Sequence, residues 1–184
     1  MSDQKPNLYF IALIPHKELR KKVEVLKKEM KERFNAKHAL KSPTHITLQM
    51  PFRIHENNES ILIEILQKTA EKQDAFEIKL TGFDCFSPRV IFVKVVDHDS
   101  IRPVHEKLIN LLDKKMELGE KVISPKIHPH MTIATRDLSH GNFELAWNRF
   151  KDKTFEESFL CKSLFLLKHN GEQWEVYREF DFKS

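Results

Sequence analysis

The chain has 184 residues, with 31 Lys plus Arg against 27 Asp plus Glu, 40% hydrophobic residues and only four glycines. That length fits one compact unit, and the net charge of +4 suits an anionic partner without being a nucleic-acid signature by itself. The 32% of charged residues argues against a membrane protein. The N-terminal apolar run, Leu8 to Pro15, is far short of the roughly 20 residues a span needs; no basic segment precedes it, so no secretory signal is expected. Cys85 and Cys161 lack CxxC spacing and read as reduced core thiols of a cytoplasmic protein.

In chain order, a strand is predicted over Leu8 to Ile14. A helix comes next, in which Leu19, Val23, Leu26 and Met30 recur at the helical period. Ser42-Pro43 then punctuates, and a strand opens at His45. A second helix is predicted around Glu59 to Lys72, then an alternating strand with Phe76, Ile78 and Leu80 on one face. Val90 to Val96 is the next strand, and Ile101, Val104, Leu108 and Leu111 mark a helix capped by Asp99 or Ser100. Ser124-Pro125 punctuates before a strand beginning at His130. A short helix near Phe143 to Phe150 precedes two last strands, Phe155 to Lys168 and Glu172 to Phe182, joined by a turn at Asn170-Gly171. The order strand, helix, Ser-Pro loop, His-x-Thr strand thus occurs twice, over about 8–50 and 90–136. The expected fold is α+β: two pseudo-symmetric lobes in one domain over 1–184, each a mostly antiparallel sheet with helices on its outer face, around a central cleft.

The chemistry lies in the two His-x-Thr strands. Residues two apart in a strand share a face about 6.5 Å apart, so His45 with Thr47, and His130 with Thr132, each pair an imidazole with a hydroxyl. If the lobes face each other, two imidazoles and two hydroxyls converge. One neutral imidazole can take a proton from an attacking oxygen and one imidazolium can protonate a leaving oxygen, while the hydroxyls donate to a charging phosphate. Histidine suits both roles because its ordinary pKa of about 6.5 leaves either form accessible. A single His-x-Thr would be worthless as a signal, since chance supplies roughly 0.4 in such a chain; the matched placement of two carries the reading.

The chain resembles the two-histidine phosphoesterase superfamily, in particular its 2′-5′ RNA ligase-like and cyclic phosphodiesterase branch. The similarity rests on Tyr9-Phe-Ile-Ala-Leu-Ile-Pro15, Thr44-His-Ile-Thr-Leu48, Phe86-Ser-Pro-Arg-Val-Ile-Phe92, His128-Pro-His-Met-Thr-Ile-Ala134 and Leu164-Phe-Leu-Leu167. It implies that His45 and His130 are catalytic and that Thr47 and Thr132 bind substrate. It also implies hydrolysis of 2′,3′-cyclic or 2′-5′ phosphodiesters, or the reverse RNA ligation, without metal or cofactor. The implied partners are RNA ends or small nucleotides with such phosphodiesters; a monomer with no membrane partner is expected.

The chain departs from that family in two places. Where the ligase-like branch usually has an arginine five residues after its second motif histidine, this chain has Thr135; strand parity would put Arg136 on the face of His130 instead. After the first motif, Gln49 stands where parity places it beside His45 and Thr47, as a substrate contact or as an edge residue facing water. Phe52, Phe86 and Phe92 are candidate stacking faces for a base, and Arg53, Arg89 and Lys126 candidate phosphate partners. The other histidines, His16, His38, His55, His98, His105, His140 and His169, are expected on the solvated surface. Three rival readings remain. His128 with His130 and His45 would offer three imidazoles to a catalytic zinc; the same cleft could bind nucleotides or RNA ends without catalysis; or the motifs could be packing.

Overall fold

The computed structural model describes residues 5–96, 98–119, 122–123 and 125–183. Among the described residues, eight strands and four helices run in the order β1 (Asn7–Leu13), α1 (Lys17–Phe34), β2 (Ile46–Ile54), α2 (Glu59–Ala70), β3 (Phe76–Phe86), β4 (Val90–Val95), α3 (Arg102–Met116), β5 (His130–Ala134), α4 (His140–Phe150), β6 (Glu156–Cys161), β7 (Ser163–His169) and β8 (Trp174–Asp181). They build two four-stranded antiparallel sheets, ordered β2-β1-β7-β8 and β5-β4-β3-β6, which is the α+β fold expected. One continuous set of buried apolar side chains draws on both sheets and all four helices. The Ser124 half of the second Ser-Pro pair lies outside the described residues.

β1 shows why its sequence is an unbroken apolar run: both of its faces are covered. Tyr9, Ile11 and Leu13 enter the main core, while Phe10, Ala12 and Ile14 form a smaller cluster with Leu167, Phe165 and Trp174 on the other face. The helices do not stay with the strands that flank them in sequence. α1, between two strands of the first sheet, packs on β5 and α4; α3, between two strands of the second, packs on β2 and α2. This exchange is reinforced at the surface, where the Glu29 carboxylate of α1 pairs with Arg149 of α4 and lies 3.1 Å from Lys153 Nζ.

Three local expectations are corrected. The predicted strand Phe155 to Lys168 is two strands, because the chain leaves the second sheet after Cys161 and joins the first at Ser163. Neither Asp99 nor Ser100 caps α3; the cap is Ile101, and the first turn is held by the His98 carbonyl, which accepts from the backbone N–H of Ile101 and Arg102. The histidines are not uniformly solvated. His105 is 2% exposed inside α3, His38, His98 and His169 are half-buried, and His16 caps α1 by accepting from Leu19 N–H.

Candidate active site

His45 stands immediately before β2, and His130 opens β5. Each imidazole makes the same local bond. His45 Nδ1 lies 2.6 Å from the Pro43 carbonyl, and His130 Nδ1 lies 2.6 Å from the His128 carbonyl. A carbonyl can only accept, so Nδ1 carries the proton in both rings and the neutral lone pair falls on Nε2. Each ring also rests on an aromatic side chain from the neighbouring strand: Phe10 of β1 at 4.7 Å from His45, and Phe92 of β4 at 4.8 Å from His130, centroid to centroid.

The threonines keep the same register. Thr47 pairs with Ala12 and Thr132 with Phe92, both on the side of the sheet away from the main core. Directly after each threonine the ladder slips by one residue. Gln49 pairs with Ile11 and Ala134 with Ile91, so the fourth residue after each histidine turns to the core instead of back to the cleft. Gln49 is accordingly 2% exposed, and its amide nitrogen donates to the carbonyls of Met50 and Val122 at 3.0 Å each. It therefore reaches neither substrate space nor water; the strand parity that would set it beside Thr47 is broken at the bulge.

His45, Thr47, His130 and Thr132 line one cavity of about 350 Å³. Its wall also includes Phe10, His38, Lys41, Met50, Phe86 and Trp174, together with both Thr135 and Arg136. β5 ends at Ala134, and Arg136 adopts a left-handed φ of 59°, so strand parity does not decide between the last two; both reach the wall. Asp137 ties this corner to the opposite lobe, its carboxylate accepting from the backbone N–H of Lys37 and His38 at 3.0 and 2.9 Å. Of the candidate stacking rings, Phe52 and Phe92 are buried, and Phe86 is exposed at the cavity wall. Arg53, Arg89 and Lys126 do not line it; Arg53 instead donates to the Pro6 carbonyl. The sequence reading missed His38, Lys41, Met50 and Trp174, which come from outside the motifs.

The site is electropositive. Burial is the main cause that lowers the His45 pKa to about 4; the Pro43 bond opposes it, and nearby Lys27 and His130 add to the lowering. Burial also lowers His130, with His128 adding to the effect against its own carbonyl bond, and lowers His38, with Arg136 and Lys41 adding and Asp137 opposing. The His128 ring lies against Phe86 and His98 and is not part of the wall. Among the described residues no group of three His, Cys, Asp or Glu side chains is placed to hold a metal ion. Such a pocket, cationic and rich in hydroxyls, is chemically matched to a phosphate ester.

Residues 15–173 match the 2′-5′ RNA ligase superfamily. A Bacillus licheniformis protein provisionally named a phosphoesterase is 28% identical over 177 residues, covering 94% of this chain and 96% of the relative. A Geobacillus kaustophilus protein of the same provisional name is 29% identical over 94% of each chain. The fold superposes on Escherichia coli LigT with a TM-score of 0.71 at 14% identity, covering 99% of this chain and all of LigT. It superposes on a Thermus thermophilus protein with a TM-score of 0.69 at 19% identity, over 97% and 98% of the two chains. The chain belongs to the 2′-5′ RNA ligase superfamily.

Proposed function

We propose that the protein is a metal-independent phosphoesterase that opens 2′,3′-cyclic or 2′-5′ phosphodiesters of RNA ends or small nucleotides, or runs the reverse ligation, with His45 and His130 as the acid–base pair. The observation that carries this reading is the matched main-chain bond on the two rings, which turns both Nε2 atoms out of the backbone in one cavity. In hydrolysis of a cyclic phosphate, a neutral Nε2 takes a proton from water as its oxygen bonds to phosphorus. The bond from phosphorus to the ribose oxygen breaks, and the other histidine returns a proton to that oxygen. Thr47 and Thr132 donate to the non-bridging oxygens, and Arg136 and Lys41 balance their charge. Ligation takes the same steps with a ribose 5′-hydroxyl in place of water: the neutral Nε2 takes that hydroxyl's proton as its oxygen bonds to phosphorus, and the ribose oxygen of the cyclic phosphate leaves with a proton from the other histidine. LigT, which shares the fold, has been crystallised with 3′-AMP, phosphate, ATP and NADP+, all phosphate-bearing, which supports a nucleotide ligand here.

Turnover of a panel of 2′,3′-cyclic mononucleotides, 2′-5′ dinucleotides and oligoribonucleotides with cyclic-phosphate ends tests this. The expected result is hydrolysis of at least one class, lost on replacing either histidine. Tight binding with no turnover of any would favour a non-catalytic nucleotide-binding module.

A further inference from the structure

A second groove adjoins the active-site cavity, and most of its lining takes no part in the acid–base chemistry. It is lined by Lys17, Arg20, Lys21, Glu24 and Lys27 of α1, by the segment 40–44, and by Gln173 and Trp174. It shares Lys41, Ser42 and Trp174 with the active-site wall, so the two spaces are adjacent. Five cations face it against one carboxylate, and that carboxylate, Glu24, is already paired with Lys28 at 2.9 Å. None of the five forms an ion pair among the described residues.

Two of these cations carry buried polar atoms outside any ion pair, Glu24 attracting Lys27 only from beyond ion-pair distance. Lys27 is 3% exposed, and its ammonium donates to the Ser42 carbonyl at 3.0 Å. Arg20 Nε is buried with no hydrogen-bond partner. Burying a charge without a counter-ion is costly, and an anion in the groove would offset that cost. Trp174, half-buried at the junction with its ring on Phe10, offers a stacking face between the groove and the catalytic phosphate. A cationic groove that leads past an aromatic face is how proteins track a single strand.

We propose that this groove holds a backbone phosphate of an RNA strand whose reactive phosphodiester lies between His45 and His130, so that oligoribonucleotide ends, not cyclic mononucleotides, are the preferred substrates. This rests on the function proposed above.

The test uses the full chain and the variant Lys17→Gln/Lys21→Gln, two exposed residues outside the catalytic cavity. Lys31→Gln/Lys114→Gln, two exposed lysines that line neither the groove nor the cavity, controls for lost charge. Hydrolysis is compared for a 2′,3′-cyclic mononucleotide, the same nucleotide bearing a 5′-triphosphate, and an octaribonucleotide ending in a cyclic phosphate. For the octamer, the groove variant should lose about tenfold in kcat/KM, and its log–log salt slope should flatten by roughly 1. The cyclic mononucleotide and the control variant should be unaffected. Equal losses on all three substrates, or none on the octamer, would overturn the proposal, as would a loss confined to the triphosphorylated mononucleotide. If the wild type turns over none of them, the catalytic reading fails separately. Fluorescence anisotropy of a labelled octamer 3′-phosphate then decides the groove: weaker binding by the groove variant supports it, and unchanged binding refutes it.

Discussion

The two motif histidines are held alike and surrounded differently. Both rings donate Nδ1–H to the carbonyl two residues back and lie on a phenylalanine of the neighbouring strand. Around His45, burial combines with the Lys27 and His130 charges to bring the pKa to about 4; around His130, burial and the His128 ring lower it against the carbonyl bond. The matched carbonyl bond and supporting ring give the two imidazoles a common geometry, and their neighbours differ. We propose His45, whose pKa of about 4 keeps its ring neutral, as the base for hydrolysis, and His130 as the acid.

The sharpest way to break that comparison is to remove each ring in turn. His45→Ala and His130→Ala should each lower kcat by roughly 10² to 10⁴. A substrate whose leaving group departs without a proton, such as a nitrophenyl phosphodiester, should restore much of the rate to His130→Ala and little to His45→Ala. Rescue in the opposite order would exchange the two roles.

The threonines come next. Thr47→Val and Thr132→Val keep the branched shape and delete the hydroxyl; each should cost up to about 10² in kcat if its bond strengthens as phosphate charge builds. A change in KM alone would assign the hydroxyls to ground-state binding. The double valine variant retaining full activity would make both structural.

The acid lability of the fold should also distinguish the motifs. A histidine at about 6.5 when unfolded and about 4 when folded favours the folded state fully above pH 6.5, and that stability is lost as pH falls toward 4. Urea unfolding at pH 7 and pH 4.5 should show a loss on the order of 2 kcal/mol that His45→Asn reduces. Equal pH dependence in wild type and variant would remove the asymmetry. The smallest effect is expected at the shared wall: Trp174→Leu should raise KM for a nucleotide about tenfold, with kcat unchanged, if the ring stacks a base.

The order of strands and helices and the four motif residues were legible because they rest on local signals: periodicity, Ser-Pro punctuation and the repeated His-x-Thr. The residues just beyond each threonine were not. Parity placed Gln49 on the cleft face, where it does not lie, and set Arg136 there in place of Thr135, whereas Thr135 and Arg136 both line the cavity; the one-residue slips after Thr47 and Thr132 depend on pairing with β1 and β4, which no local pattern reports. The same holds for His105, whose burial comes from the packing of α3, and for His38, Lys41 and Trp174, brought to the cavity by the meeting of distant segments. The break at Lys162 carries no glycine or proline to announce it, because the chain simply passes from one sheet to the other.

The pH dependence of kcat/KM, measured on the preferred cyclic phosphate with and without EDTA, tests the paired-histidine mechanism most directly. The expected profile is a bell whose acid limb reflects the group held at about 4, whose optimum lies on the acid side of neutrality, and whose shape chelation leaves unchanged. A single limb rising toward alkaline pH, with activity that vanishes in EDTA and returns with zinc, would contradict it.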